Sequence, residues 1–360
     1  MANFTIVQKP LLPEFPRPII SIGAGGIVHD AHYPAYQKAG FVVAGLYDPD
    51  QDRARFMAEK FAVPRLYGSL DEAVAAGPAE AVFDVAVPAA AIPQILPHLP
   101  DGRGVLLQKP MGDNFGEAGK ILNLCRQKNL RAALNFQLRY APFILAAKSL
   151  IEQGAIGEVH DMEVRVMVYT PWHLWSFMAG ISFVEILYHS IHYIDLVRSF
   201  LGEPRGVYGK TVKHPDTPNM DGTRTNIIFD YGDMVRANVT TNHHHKYGLR
   251  HQESYVKWEG TKGAIKAKMG LLMNYPTGEP DQFEYCRLAD DGPPAWQPVA
   301  VEGTWFPDAF IGTMASLMRA VEGSAGPPPT SVEDAFKTMA LVEAICQASA
   351  AGATPIPTEA

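Results

Sequence analysis

The segment PIISIGAGGIVHDAHYPAYQKAG, continuing into FVVAGLYDPD, constrains this chain more than any other stretch of it. A β-branched apolar run (Ile19, Ile20, Ile22) breaks at Gly23, a glycine-rich turn leads into a segment of helical pattern, and a second apolar run ends on Asp48. Strand, glycine turn, helix, strand and acid, in that order, is the context of a dinucleotide-binding βαβ unit. In such a unit Gly23 permits the tight turn and Gly25 lets the backbone approach a pyrophosphate, while N–H groups of Gly26 and Ile27 at the helix start face the phosphates. Asp48, 25 positions after Gly23, is placed to accept from both ribose hydroxyls and to repel a 2′-phosphate. NAD is therefore the expected cofactor, with NADP left open by Arg53 and Arg55 close behind the acid. The third glycine position of the fingerprint is Val28, which alters how closely the helix packs on its strand.

The alternation continues for about 130 residues. DRARFMAEKFA and SLDEAVAAG read as helices, the second with Ser69 as N-cap and Glu72 completing a capping box. AVFDVAVP is a strand ending on Pro88, IPQILPHL a short helix, GVLLQKP a strand, EAGKILNLCRQKN a helix and RAALNFQLRY a strand. The expected fold is α/β, a Rossmann-type doubly wound parallel sheet covered on both faces. Ligands of such sheets bind beyond the carboxyl ends of the strands, which directs Pro88, Gln108 and Lys109 toward the cofactor. From residue 135 the pattern changes to strand-like runs with hairpin signals, YGD and EGTKG among them, and three long helical segments. The expected organisation is an N-terminal arm and dinucleotide-binding domain over 1–134, and an α+β domain with a large, open, mostly antiparallel sheet over 135–360. The arm, MANFTIVQKPLLPEFPRP, reads as loose. The outer face of the second sheet, if apolar, needs cover, and a homodimer or homotetramer through that sheet is the expected way to provide it.

Bulk properties narrow the partners. A net charge of −7 over 360 residues argues against nucleic acid or an anionic membrane as the main partner, since both need a cationic face. No apolar run reaches the ~18 residues that would span a bilayer. Three widely spaced cysteines, Cys125, Cys286 and Cys346, suggest neither a disulfide framework nor a metal site, and a reducing cytoplasm is expected.

FVEILYHSIHYIDLVR, residues 183–198, is the most informative helix. Glu185, Tyr188, His189, His192 and Asp195 recur at spacings of three and four, so several share one side. Burying two histidines and acids in that pattern is costly unless they are paired or in use. Three readings stand: His192 as a proton-transfer residue, Glu185, His189 and His192 as metal ligands, or a set of satisfied polar groups. No metal is expected, because nothing obvious completes a site. Arg139 is a substrate-binding candidate, with an ion pair as its alternative. Trp172, His173 and Trp175 in TPWHLW offer rings to stack on a sugar, with simple packing as the alternative. NHHHKYG, 242–248, read as a continuing strand, sets His243 and His245 opposite His244, one face toward substrate or the whole at a solvated edge.

GAGGI with Asp48, the QKP of Gln108–Lys109–Pro110, the helix HSIHYIDLVRSFLGEP and the ending FPDAFIGTM…TSVEDAFKTMALVEA together resemble the glucose–fructose oxidoreductase, inositol dehydrogenase and rhizopine catabolism (Gfo/Idh/MocA) family. The likeness runs from Gly23 to about Gly352. It implies an NAD(P)-dependent oxidoreductase of a sugar, polyol or related compound. The lysine of the family's Glu-Lys-Pro motif, near nicotinamide and reacting hydroxyl, corresponds to Lys109, and its proline, often preceded by a cis bond, to Pro110. The histidine of Asp-x-x-x-His corresponds to His192, and Asp195 matches a further acid of that helix. Departures are Gln108 for the motif's glutamate, Tyr188 for the aspartate before the histidine, and Ala89 and Pro93 for an asparagine and a histidine. Tyr188 or His189 is then expected to take over as hydrogen-bond partner or substrate contact. Within the family the histidine-rich helix is most similar to a branch handling small aldoses, apiose-like, with a lactone as product. Inositol or polyol oxidation is the enzymatic alternative, and a non-catalytic NAD-sensing regulator the alternative of a different class.

Overall fold

The structure is a computed structural model that describes residues 4–174, 178–288 and 293–356. The chain divides into two compact units, Met1–Glu152 with Ala300–Met339, and Gln153–Val299 with Ala340–Ala360. These compact units differ from the 1–134/135–360 division expected from the sequence on two points: the first unit extends to Glu152, and it includes the segment 300–339.

In the first unit, β1 (Ile19–Ile22), α1 (Tyr33–Ala39), β2 (Val43–Tyr47), α2 (Gln51–Phe61), α3 (Leu70–Ala76), β3 (Val82–Val85), β4 (Gly104–Leu107), α4 (Phe115–Gln127) and β5 (Arg131–Leu134) alternate as expected. All strand pairs are parallel, in the order β2-β1-β3-β4-β5. Every residue of β1, β3 and β4 is buried, which is why these strands read as continuous apolar runs rather than alternating ones. The local signals hold where they were strongest. Ser69 Oγ accepts from Glu72 N at 3.1 Å, although the Glu72 carboxylate reaches Gly68 N at 2.7 Å rather than the cap residue itself. A helix not singled out in the sequence, α5 (Pro142–Glu152), follows β5.

The N-terminal arm is pinned rather than loose. Val7 N donates to Ser149 Oγ at 3.0 Å, Gln8 exchanges hydrogen bonds with the backbone of Ala300 and Glu302, and the Glu322 carboxylate accepts from Glu14 and Phe15 N–H.

The second unit carries β6 (Val159–Met167), α6 (Ile191–Leu201), β7 (Gly206–Val212), β8 (Arg224–Asp230), β9 (Arg236–Asn242), β10 (Glu253–Gly260), β11 (Gly263–Lys268), β12 (Gln282–Arg287) and β13 (Ala295–Val299). Its sheet runs β13-β12-β11-β10-β6-β9-β8-β7, antiparallel except for the parallel pair β6–β9. One face buries Met162, Val164, Val166, Val239, Val256, Trp258 and Ile265, each fully. Trp258 meets Phe200 of α6 at 5.0 Å between rings, and burying a side chain of that size contributes roughly 2–3 kcal/mol.

The other face is not uniformly apolar. Arg236 pairs with Asp161 at 2.6 Å, Arg165 with Glu253 at 2.6 Å and Lys257 with Glu259 at 2.8 Å, and Tyr255 donates to Glu163. Toward β7 and β8 the same face leaves Tyr208, Val212 and Ile228 exposed, so it is charged at its centre and apolar toward that edge. No helix among the described residues is long and apolar enough to cross a membrane.

Two helices complete the chain, α7 (Asp308–Glu322) and α8 (Val332–Ala351). Phe310, Met314, Leu317 and Met318 of α7 share one core with Ile19, Tyr36, Leu46, Val82 and Leu106, which explains why this segment joins the first unit.

Candidate active site

Every cofactor residue expected from the sequence follows the carboxyl end of a parallel strand. Gly23 to Ile27 come after β1, Asp48 after β2, Pro88 after β3, and Gln108 with Lys109 after β4. Gly23 has φ +108°, and a Cβ there would lie 2.3 Å from the Ala86 carbonyl oxygen, so only glycine fits. A Cβ on Gly25 or Gly26 would meet no atom within 4 Å, so these two glycines leave one side of the turn open for a ligand to approach the backbone. Ile27 instead packs partly buried on the core. Beyond the glycines, Val28 N and His29 N already donate to the Gly25 carbonyl at 3.0 and 3.2 Å, so it is the N–H groups at the very head of the helix that a phosphate would meet. The turn as built fits a pyrophosphate.

Asp48, the expected ribose acceptor, also has partners within the protein. Its Oδ2 accepts from Ala24 N at 2.7 Å and its Oδ1 from Asp50 N at 2.8 Å, so the carboxylate also ties the glycine turn to the end of β2. A carboxylate offers about four acceptor positions, which leaves room for two hydroxyls. Arg53 pairs with Asp50 at 3.2 Å and Arg55 with Asp52 at 2.8 Å, so both cations that would serve a 2′-phosphate have anionic neighbours.

Lys109 stands two residues past β4, ahead of a cis Lys109–Pro110 bond. Its backbone N–H donates to Gln108 Oε1 at 2.9 Å, and Gln108 Nε2 lies 3.2 Å from His32 Nε2. Burial pushes the Lys109 amine down to about 8, because an ammonium loses hydration there.

Arg139 is placed differently from the expectation. Its guanidinium donates to the Pro329 carbonyl at 2.9 Å and pairs with Asp334 at 2.7 Å, so it serves as a structural tie within the first unit. Its ion-pair alternative describes it better than substrate binding does.

In the second unit the informative helix opens into a wider π turn over Ile186–Ser190 before α6 begins. Such turns are frequent at functional sites. His192 and Asp195, both on α6, are buried. The Glu185 carboxylate accepts from Ser190 Oγ at 2.7 Å and from Thr225 Oγ1, and His243 Nε2 lies 3.4 Å from its Oε1. Burial alone would raise the Glu185 carboxyl, but the His243 ring and the two hydroxyls outweigh it and hold the group below the usual carboxylate range. These partners take Glu185 away from the metal reading, and no group of three candidate ligands exists among the described residues.

The His189 ring stacks on His243 at 4.5 Å and lies 5.0 Å from Trp172. Trp172 begins a short 3₁₀ turn and is buried with Tyr188, Met178, Val184 and Met220 around it. Trp175 lies outside the described residues. His173 is on the same turn and exposed.

The strand reading of 242–248 is corrected. β9 ends at Asn242, whose Oδ1 accepts from His244 N at 3.0 Å and turns the chain, so His243 and His244 are both buried instead of facing opposite ways. His244 stacks on His214 at 4.1 Å, and burial together with that neighbouring ring pushes it down to about 4. Sequence reasoning thus missed His214 and the joint burial of His243 and His244. It also missed His32, Asp84 and Asn135 in the first unit.

Profiles of known families match both units. The profile described as an oxidoreductase family, NAD-binding Rossmann fold, matches residues 19–136, and that described as an oxidoreductase family, C-terminal alpha/beta domain, matches residues 148–358. The chain belongs to the Gfo/Idh/MocA oxidoreductase family. Its first domain is accordingly an NAD-binding Rossmann fold. Relatives in the family include D-apiose dehydrogenase of Rhizobium rhizogenes, 23% identical over 92% of this chain and 95% of that protein, and D-xylose 1-dehydrogenase (NADP(+)) 2 of Haloferax volcanii, 23% identical over 92% and 97%. Among solved structures, levoglucosan dehydrogenase in complex with NADH and levoglucosan has a TM-score of 0.76 at 17% identity, covering 94% of this chain and 98% of that one. An oxidoreductase of Agrobacterium radiobacter with NAD+, L-tartaric acid and magnesium has a TM-score of 0.76 at 21% identity over 93% and 97%. Both show the shared fold.

Proposed function

We propose that this oxidoreductase is an NAD-dependent dehydrogenase of a small aldose, apiose-like, oxidising the ring hydroxyl at the anomeric carbon to a lactone. The observation that carries the reading is Lys109. It is a desolvated amine just past the carboxyl end of β4, in the sheet whose other strand ends hold the glycine turn and Asp48. Relatives named for apiose and xylose oxidation support the substrate class. The paired state of Arg53 and Arg55 and the carboxylate of Asp48 support NAD over NADP.

Bound NAD would take up the hydride that leaves carbon. The protein must remove the hydroxyl proton and stabilise the alkoxide character that develops. A cation beside the oxygen does the second, and we assign it to Lys109. A histidine, with an ordinary pKa near ~6.5, is suited to the first, and we assign it to His192. His189 and Trp172, with Tyr188 and Asp195 on the same helical stretch, are the proposed sugar contacts, and three unpaired cysteines fit the expected reducing cytoplasm.

The test is a panel of aldoses with inositol and other polyols, offered with NAD and with NADP and read as absorbance of reduced nicotinamide. Reduction of NAD by one or more small aldoses is the expected result. Turnover of inositol alone would move the assignment to polyols, and NAD binding without turnover of any sugar would overturn it.

A further inference from the structure

A buried polar chain beneath β4 has no part in the reaction as assigned above. His32, fully buried in the wide turn that precedes α1, has its Nδ1 at 2.8 Å from Asp84 Oδ2. Tyr36 donates its hydroxyl to the same oxygen at 2.8 Å. The opposite ring nitrogen, Nε2, lies 3.2 Å from Gln108 Nε2 and 3.1 Å from Asn135 Nδ2. Asn135 Oδ1 in turn accepts from Thr313 Oγ1 at 2.9 Å.

One backbone hydrogen fixes the directions. The Lys109 N–H can only donate, so the Gln108 atom facing it at 2.9 Å is the amide oxygen, and the NH₂ must face His32. An NH₂ can only donate, so His32 Nε2 must accept and carry no proton. The ring's single proton is then on Nδ1, where a carboxylate waits for it. Asp84, His32, Gln108 and the Lys109 main chain form one line of hydrogen bonds with a single consistent set of directions.

We propose that His32 and Asp84 are positioning residues for Lys109: the neutral His32 ring, oriented by Asp84, holds the Gln108 amide, and that amide holds the backbone from which the Lys109 side chain departs. The proposal rests on the reading of Lys109 as the site's cation. It also explains why glutamine stands at position 108. A glutamate there would accept from Lys109 N–H equally well, yet it would turn a second acceptor toward His32 Nε2. It would be matched only if the ring bore protons on both nitrogens. Glutamine and a neutral imidazole are a matched pair; glutamate needs an imidazolium.

The surroundings of His32 allow a clean pH test. The titratable groups against it are Asp84 on β3 and Tyr36 on α1, and burial raises Tyr36 well above its ordinary value, so it stays neutral. From the ends of β4 and β5 and from α7 it meets Gln108, Asn135, Thr313 and the Phe310 ring, none of which titrates.

Two measurements on the full chain decide the matter. In histidine-selective ¹⁵N spectra recorded at the pH of the activity assay, the His32 resonances, identified by their loss in His32→Asn, should show a protonated Nδ1 and a bare Nε2. A proton on Nε2 would overturn the proposal whatever the activity data say. In Gln108→Glu, kcat relative to the unmodified enzyme should fall about tenfold or more as pH rises from about 6 to about 9. That slope should be absent in Gln108→Glu combined with His32→Asn. A flat ratio, or a slope that survives without the imidazole, would overturn it. Lys109→Ala tests the underlying assignment separately: turnover within a few-fold would remove the role of Lys109 while leaving the tautomer to be judged from the spectrum alone.

Discussion

Each unit carries a histidine in a π-widened helical turn, fully buried His32 in the first and half-buried His189 in the second, and the two have different surroundings. In the first, His32 is fixed by a carboxylate and two amides, the carboxylate also accepting from the Tyr36 hydroxyl and one amide locked by a backbone N–H. In the second, His189 stacks on His243 and lies beside Trp172, in a cluster where the Trp172 Nε1 and His244 Nδ1 atoms have no hydrogen-bond partner among the described residues. Buried polar atoms in native proteins are nearly always satisfied. The first network also leaves Asp84 Oδ1 without a hydrogen-bond partner among the described residues, so the two differ in how the ring is held and not in saturation. On the reading proposed above, the first is scaffolding for one lysine and the second a surface for a polyhydroxylated ligand.

The largest effects should come from the groups assigned to the reacting hydroxyl. Lys109→Ala is expected to lower kcat by about 10³-fold, the scale of losing one preorganised oxyanion partner, with NAD affinity measured by nucleotide fluorescence nearly unchanged. In the unmodified enzyme turnover should fall as pH rises through about 8, where the desolvated amine loses its proton, and Lys109→Arg should abolish that limb because guanidinium stays charged. His192→Asn should cost about 10²- to 10³-fold and remove the acid limb of the kcat profile. If either loss is only a few-fold, the contrast between scaffold and reacting group dissolves.

Gly23, Asp48, Ser69 and the βα alternation were legible because each is a local pattern: a turn, a strand end, a cap, a run of buried strands. His32 was not, since its partners Asp84, Gln108 and Asn135 lie 52, 76 and 103 positions away and no periodicity links them. The burial of His243 and His244 was misread for a different reason. The histidine run continues a strand pattern, but the side chain of Asn242 captures the next-but-one N–H and ends the strand, a competition that short polar side chains win at strand ends. β13 escaped notice because AWQPV carries a proline and lies at a sheet edge, where such a residue is tolerated. That the segment 300–339 packs with the first unit was not legible, because the apolar stripe of α7 is visible in sequence while the surface it covers is not.

Glu185→Gln should have a smaller effect, on stability rather than chemistry. The Glu185 carboxyl is held below its ordinary range, so its contribution is present above the unfolded carboxylate value of ~4.3 and lost as pH falls through the lower folded one. The variant should lose about 2 kcal/mol at neutral pH, with Tm lower by several degrees, and the gap should close as pH drops below about 4. An equal Tm difference at both pH values would mean that the charge facing His243 is not what stabilises the cluster.

The smallest expected effect is also the sharpest test of the contrast. Trp172→Phe keeps a six-membered aromatic ring against His189 and removes the five-membered ring of the indole with its N–H, which is buried without a partner. Loss of the unsatisfied donor costs nothing, but the lost ring volume leaves a small cavity, so Tm should fall by a few degrees whatever the role of the residue. If the donor serves a sugar hydroxyl, one hydrogen bond of about 1 kcal/mol is lost on binding, and KM for the sugar should rise roughly fivefold with kcat and KM for NAD unchanged. A lower Tm with KM for the sugar unaltered would make Trp172 a packing residue and the second cluster a core like the first.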